Sequence, residues 1–218
     1  NEKDDTDFSQ WFPADKRLCW PDLIKEYRLV ILSEAGSGKT TEIRNVAYTL
    51  RNEGKPAFFL RLEHISKDFE DAFEVGTHEA FAAWLASSEE GWFFLDSVDE
   101  ARLKNPRDFE LAIRKLSKQI ITAKDRTHIV ITSRITVWRP KSDLAYCDNY
   151  FPYTPTVTSE RDPQANNIQS EKAIQPDGSV LIETDSKKEN DSFFRIVALD
   201  DLARDQIAVF VNAQGIAD

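Results

Sequence analysis

The sequence has few of the residues that build disulfide or metal scaffolds. Its 218 residues contain two cysteines, Cys19 and Cys147, and three histidines. The histidines have no metal-ligand spacing, which argues against a zinc site. So few cysteines are typical of a chain that stays reduced in the cytoplasm. Methionine is absent altogether, and from this we expect the chain to be part of a larger protein.

The sequence also lacks long apolar runs and an excess of positive charge. None of its apolar runs approaches the roughly 20 residues that a membrane helix needs, and the acidic, polar residues 1–10 do not resemble a signal peptide. The 28 Lys and Arg are outnumbered by 38 Asp and Glu, so the net charge is −10. Nonspecific nucleic-acid binding needs clustered positive charge. We therefore expect a cytoplasmic chain that binds neither a membrane nor nucleic acid directly.

What the sequence does contain is an alternation of apolar runs and segments with helical spacing. Apolar residues make up 41% of the chain and include 14 Phe, enough to fill a core. This alternation predicts an α/β fold, with a mostly parallel sheet and helices on both faces. Strands are predicted at 28–33, 56–62, 91–96, 127–134 and 192–199, and helices at 21–27, 39–52, 77–88, 108–123 and 200–213.

The composition changes after the fourth predicted strand. Residues 141–191 are rich in Ser, Thr, Asn, Asp, Pro and Lys, which predicts a polar insertion or mobile loop. The predicted organisation is thus a lead-in segment, a core, this insertion, and a last core strand with its helix. The boundaries are 1–24, 25–140, 141–191 and 192–218.

The stretch SEAGSGKTT, residues 33–41, follows an apolar strand and opens a helix. Glycines allow backbone N–H groups to surround a phosphate, Lys39 is placed to reach the terminal phosphates, and Thr40 to bind Mg²⁺. The usual pattern begins with glycine where this chain has Ser33, which fits if its φ is negative. The alternative is an ordinary strand-to-helix turn with an exposed lysine. The candidate nucleotide-binding residues are Ser33, Glu34, Ala35, Gly36, Ser37, Gly38, Lys39, Thr40 and Thr41.

Three acids follow the third predicted strand, in FFLDSVDEA at residues 93–101. An aspartate at the end of a buried strand, here Asp96, is typical of Mg²⁺ binding, together with Thr40. A further carboxylate, Asp99 or Glu100, can orient or deprotonate a water. The alternative is a solvated acidic turn.

The fourth predicted strand ends in ITSR, residues 131–134. Its polar residues lie at the carboxyl end of a parallel strand, where open α/β sheets bind ligands. Arg134 is therefore a candidate to contact the γ-phosphate, and the alternative is a surface arginine.

SEAGSGKTT, FFLDSVDEA and ITSR, in this order, resemble the motifs of the NACHT domain in the STAND class of P-loop NTPases. The most specific feature is the doubled acid, D-x-x-D-E. AAA-type ATPases more often place Glu directly after the strand Asp, where this chain has Ser97. The resemblance covers roughly residues 25–135, and residues 198–211 are similar to the helix that follows the last core strand of that family.

The resemblance implies a P-loop fold with strand order 5-1-4-3-2 and a nucleotide-operated switch. Such proteins are autoinhibited with ADP and form homo-oligomers after a trigger drives nucleotide exchange; similar bacterial proteins act in antiviral defence, and animal relatives in innate immunity. The implied ligands are ATP or ADP, with ATP preferred over GTP, and Mg²⁺. The implied roles are phosphate and Mg²⁺ binding for Lys39 and Thr40, Mg²⁺ binding for Asp96, hydrolysis for Asp99 and Glu100, and nucleotide sensing for Arg134.

The chain departs from this family pattern at Ser33, and its 218 residues hold no winged-helix, sensor or effector segment. We expect these partners elsewhere in the larger chain, and slow hydrolysis at most by this part. Two alternatives remain. One is a non-hydrolysing interaction scaffold, and the other is a nuclease that uses a loose PD…D-x-K pattern, with Pro176, Asp177, Asp185 and Lys187.

Overall fold

The computed structural model describes residues 18–153 and 192–199, which form a six-stranded, mostly parallel sheet flanked by helices. The strands are β1 (Arg28–Ser33), β2 (Ala57–Arg61), β3 (Phe73–Val75), β4 (Gly91–Asp96), β5 (Thr127–Arg134) and β6 (Arg195–Ala198). In the sheet they lie in the order β3-β2-β4-β5-β1-β6. Strands β2, β4, β5, β1 and β6 run parallel to one another, and β3 pairs antiparallel with β2 at the edge.

This order differs from the predicted five-strand order because the sheet has a sixth strand. The three residues of β3 were not predicted, since so short a segment has no readable alternation. They add an antiparallel edge beyond β2. The ITSR strand, β5, pairs with β1 on one side and with β4 on the other, which brings the carboxyl ends of these three strands to one edge of the sheet.

Seven helices occur in the described part of the chain. None of them is long and apolar enough to span a membrane. Short 3₁₀ turns at 70–72 and 124–126 precede β3 and β5. The helices are α1 (Trp20–Leu23), α2 (Lys39–Asn52), α3 (Leu62–Ile65), α4 (His78–Leu85), α5 (Val98–Lys104), α6 (Asp108–Gln119) and α7 (Pro140–Tyr150).

The helices cover both faces of the sheet, as predicted. Alternate strand residues point to opposite faces, so Val30 and Leu32 join one apolar cluster and Leu29 and Ile31 the other. The first cluster contains residues of helices α3 to α7, and the second contains residues of α1 and α2. Both faces of β1 and β4 are therefore buried along their whole length, which is typical of parallel strands between two helical layers.

The predicted polar insertion starts too early at residue 141. Helix α7 occupies residues 140–150, and its Leu144 and Cys147 pack in the core. Because most residues of α7 are polar, the composition of this segment predicted an insertion or loop instead of a helix. Residues 154–191, the helix predicted at 200–213 and the nuclease pattern at 176–187 lie outside the described residues.

A buried histidine lies where β5 begins and makes stability depend on pH. The ring of His128 stacks between Tyr27 (4.1 Å between centroids) and Trp92 (4.7 Å). Its Nδ1 lies 3.1 Å from the Glu26 carbonyl, and its Nε2 lies 3.6 Å from a Glu90 carboxylate oxygen. Burial lowers the pKa of His128 despite these acceptors.

The pKa of His128 is lower in the folded than in the unfolded chain. As the pH falls through about 6.5, the unfolded chain therefore binds a proton at His128 before the folded chain does, which favours unfolding. We expect the free energy of unfolding to fall more steeply from about pH 7 to about pH 5 in the wild type than in His128→Phe, by up to about 1.4 kcal/mol per pH unit. Urea denaturation at both pH values measures this difference. Equal slopes for the two proteins would contradict it.

Candidate functional site

A glycine loop, residues 34–38, joins the end of β1 to the start of α2. Gly36 and Gly38 adopt positive φ angles of 77° and 81°, a conformation that favours glycine. Gly38 is also the N-cap of α2 and has no side chain to accept hydrogen bonds from the first turn. The N–H groups of that turn and the positive end of a 14-residue helix therefore face the loop. Such a helix start binds anions.

Lys39 lies at the first position of α2, directly after this loop. Its side chain is largely buried, with 9% of the residue exposed. No hydrogen bond or ion pair to its ammonium group occurs within residues 18–153 and 192–199. A lysine buried to this extent normally has a partner for its charge. The unpaired ammonium therefore indicates a place for an anionic ligand.

Ser33 lies inside β1, at the position that the usual pattern gives to glycine. It pairs with Arg134 of β5, and positive φ in the described part of the chain is confined to glycines, so its backbone is ordinary strand. A glycine is thus not needed at this position. The Ser33 hydroxyl is buried without a hydrogen-bond partner among the described residues.

Asp96 ends β4 and is surrounded by hydrogen-bond donors. The Thr40 hydroxyl donates to Oδ2 (2.8 Å) and the Thr132 hydroxyl to Oδ1 (2.7 Å). One nitrogen of Arg61 lies 3.4 Å from Oδ2. The Asp96 side chain is fully buried. The two residues predicted to bind Mg²⁺, Thr40 and Asp96, are therefore in direct contact.

Asp99 and Glu100 lie in the first turn of α5, just past Asp96, and each contacts an arginine. The Nε of Arg134 lies 2.7 Å from Oδ2 of Asp99, whose side chain is 5% exposed. The other oxygen of Asp99 is buried without a hydrogen-bond partner in the described residues. Glu100 is 39% exposed and pairs with Arg61 at 2.9 Å. The two acids predicted together thus have different surroundings.

The sequence interpretation missed Arg61, which ends β2. Parallel pairing of β2 with β4 sets Arg61 directly beside Asp96. Its guanidinium contacts Asp96, Glu100 and Glu74. The available signal was a polar residue at the end of an otherwise apolar strand, the same signal that pointed to Asp96 and Arg134.

Most of the predicted residues line one cavity of about 290 Å³. It is lined by residues 35–41 and by Ser97, Asp99, Glu100 and Arg134. Ser33, Glu34 and Asp96 are not among the lining residues: Ser33 lies in β1, Glu34 is exposed, and Asp96 is buried and accepts a hydrogen bond from Thr40. A larger cavity of about 310 Å³ lies elsewhere, between the end of α2 and α4. We place the site at the smaller one because it holds the unpaired lysine and the glycine loop.

The cavity suits a phosphate group. A methyl group built on Gly36 or Gly38 would meet nothing within 4 Å, so these glycines border open space. The buried hydroxyl of Ser37 has no hydrogen-bond partner in the described part of the chain. Together with Lys39 and the first turn of α2, it provides unpaired donors around an open space, as an anion requires.

The cavity also suits Mg²⁺ held jointly with phosphates. No group of three or more His, Cys, Asp or Glu side chains that could hold a metal ion occurs among the described residues. Mg²⁺ is commonly bound by one or two protein oxygens, with waters and substrate phosphates filling its other positions. Thr40 and Asp96 provide two adjacent oxygens of the right kind.

No protein-family model matches the chain, and no curated protein matches it. Among solved structures, a chain from a structure of Drosophila ORC bound to GC-rich DNA and Cdc6 is similar, with 16% sequence identity and a TM-score of 0.32. The similarity covers 62% of this chain and 50% of that one, so this chain spans about half of its length. A similarity this weak supports no conclusion about the fold or the function of this chain.

Proposed function

We propose that this chain is the nucleotide-binding and hydrolysing module of a switch protein of the NACHT type in the STAND class, with ATP and ADP as its ligands. The observation that carries the proposal is Lys39. Lys39 is a largely buried lysine whose ammonium group has no partner among the described residues, and it begins α2 directly after the glycine loop. The motif resemblance supports the choice of family.

The proposed binding mode follows from the donors around the cavity. The loop N–H groups and Lys39 bind the phosphates, and Thr40 and Asp96 hold Mg²⁺, which supplies positive charge to the phosphate oxygens. Arg134, held by Asp99 at 2.7 Å, lies on the cavity wall and contacts the terminal phosphate. An arginine fixed in this way distinguishes a triphosphate from a diphosphate by its added charge.

Asp99 and Glu100 have different surroundings in this site, and we assign them different roles. Asp99 is buried against Arg134 and so positions that arginine. Glu100 is more exposed and lines the cavity, where water can reach it. We therefore assign to Glu100 the orientation of the attacking water, and to Asp99 a positioning role.

Glu100→Gln is expected to lower ATP hydrolysis about 100-fold or more, the usual contribution of a positioned general base, while ADP binding changes less than about threefold. Release of inorganic phosphate and calorimetry measure the two effects. Glu79→Gln is the matched control, because Glu79 is an exposed glutamate in the first turn of α4. If Glu100→Gln hydrolyses ATP as fast as the wild type, the assignment is wrong. Nucleotide binding without hydrolysis by the wild type would instead favour the scaffold alternative.

The partners are also part of the proposal. We expect winged-helix, sensor and effector domains of the larger protein to act on this module, and the nucleotide state to control homo-oligomer formation. The resemblance of the three motifs supports this expectation. The test is size measurement of the longer protein with ADP and with a non-hydrolysable ATP analogue. A larger assembly is expected with the analogue alone.

A further inference from the structure

We propose that Arg61 is a positioning residue that acts as an internal cation, competing with Mg²⁺ for Asp96 and orienting Glu100. This inference rests on the proposed function, because it concerns the same nucleotide site. It assigns a role to a residue that the motifs do not contain.

The sheet places Arg61 where it can neutralise Asp96. The two residues end adjacent parallel strands and are direct partners in the pairing of β2 with β4. The Asp96 carboxylate is fully buried, and among the described residues Arg61 is the cation within ion-pair distance, at 3.4 Å. A buried carboxylate needs positive charge or several donors nearby. Arg61 supplies charge, while Thr40 and Thr132 supply hydrogen bonds.

The same nitrogen of Arg61 also contacts Glu100. The distance to Oε2 of Glu100 is 2.9 Å, shorter than the 3.4 Å to Asp96. The guanidinium thus lies between the proposed Mg²⁺ ligand and the proposed hydrolytic carboxylate. A single cation holds both in place, so its removal changes the charge of the site and frees Glu100.

The other side of the guanidinium is fixed by the edge strand. Its Nε lies 2.6 Å from a carboxylate oxygen of Glu74 in β3, and Arg44 of α2 contacts the other oxygen of Glu74 at 2.7 Å. Burial lowers the pKa of Arg61, but the Glu74, Asp96 and Glu100 carboxylates outweigh it and raise the pKa overall. Arg61 is therefore positively charged, and Glu74 draws it partly away from Asp96 and Glu100.

Electrostatics predicts that removing the charge of Arg61 and removing the charge of Glu74 change the affinity for Mg²⁺ in opposite directions. Removing the charge of Arg61 makes the Asp96 and Glu100 environment more negative, so Mg²⁺ binds more tightly. Removing the charge of Glu74 frees Arg61 to pair more closely with those acids, so Mg²⁺ binds more weakly. A purely structural role for Arg61 would weaken Mg²⁺ binding when the side chain is replaced.

The test measures the MgCl2 concentration that gives half of the rise in melting temperature caused by a fixed ADP concentration. We expect this concentration to fall about tenfold in Arg61→Gln and to rise about fivefold in Glu74→Gln. Arg61→Lys keeps the charge and should stay within about threefold of the wild type. Arg44→Gln is the matched control, since Arg44 shares Glu74 but contacts neither Asp96 nor Glu100 in the described structure; it should also stay within about threefold. ATP hydrolysis should fall in Arg61→Gln although Mg²⁺ binds more tightly.

Two kinds of result would overturn the inference. If the wild type responds to ADP and MgCl2 but Arg61→Gln needs as much MgCl2 or more, Arg61 does not compete with the metal, and the proposed function stands. If the wild type shows no rise with ADP and MgCl2, the inference and the proposed function both fail. Should Arg61→Gln not fold, Glu74→Gln still decides, because an unchanged or lower MgCl2 requirement in it contradicts the competition.

Discussion

Lys39→Ala is expected to abolish nucleotide binding without unfolding the protein. Lys39 is largely buried, and its ammonium group has no hydrogen bond or ion pair in the described part of the chain, so its removal breaks none there. We expect the free energy of unfolding to change by less than about 1 kcal/mol, since the lost packing of the side-chain stem is partly offset by the loss of a charge that no described group pairs. Affinity for ADP should fall at least about 100-fold, as expected for a lost charged contact to phosphate.

The control for this variant is Lys25→Ala. Lys25 is an exposed lysine that pairs with Asp22 at 3.8 Å and does not line the cavity. Its replacement should leave both the affinity and the melting temperature unchanged. A Lys39→Ala protein that binds ADP like the wild type would show that the loop does not contact phosphate. A strongly destabilised one would show that Lys39 has a structural partner.

Arg28→Met is expected to cause the largest loss of stability. Arg28 begins β1, is 2% exposed, and donates hydrogen bonds to the carbonyl oxygens of Tyr27, Lys124, Thr127, Phe151 and Pro152, at 2.5 to 3.4 Å. Burial lowers its pKa to about 10, so it keeps its charge at neutral pH. Its removal takes this donor from two buried carbonyl groups, those of Thr127 where β5 begins and Phe151 where α7 ends, and from three part-buried ones.

The expected cost is about 3 to 5 kcal/mol, since each buried acceptor left unpaired costs about 1 kcal/mol or more. For a chain of this size, that lowers the melting temperature by on the order of 10 °C. Thermal melts and urea denaturation measure the loss. Arg195→Met is the control, because Arg195 makes an exposed ion pair with Glu26, and such pairs contribute less than about 1 kcal/mol. Equal losses in the two variants would contradict the account of Arg28.

Much of the fold could be predicted from the sequence because buried parallel strands leave a clear signal. RLVILS and GWFFLD are continuous apolar runs, and each lies in a strand buried on both faces. The helix predicted at 39–52 has the same bounds in the structure. In contrast, α7 was missed, because its apolar core residues are few and one of its buried residues, Asp143, is itself charged.

The site was predictable where its residues belong to a recognisable motif at the end of a strand. The glycine loop, Asp96 and Arg134 each end a readable strand, and the sheet brings them to one edge. Arg61 ends a readable strand too, but its partners Glu74 and Glu100 are distant in sequence, and the edge strand that carries Glu74 was not predicted. Contacts of this kind depend on strand register, which a single sequence does not specify.

Calorimetric titration of this chain with ADP in MgCl2, with adenosine as the comparison, tests the proposed nucleotide site. The claim is that residues 33–41 bind the phosphates of a nucleotide. It predicts that one ADP binds per chain with micromolar affinity, that adenosine binds far more weakly, and that ADP binding is lost in Lys39→Ala. No binding of ADP to a chain that shows a cooperative thermal melt would contradict it, as would equal affinities for ADP and adenosine.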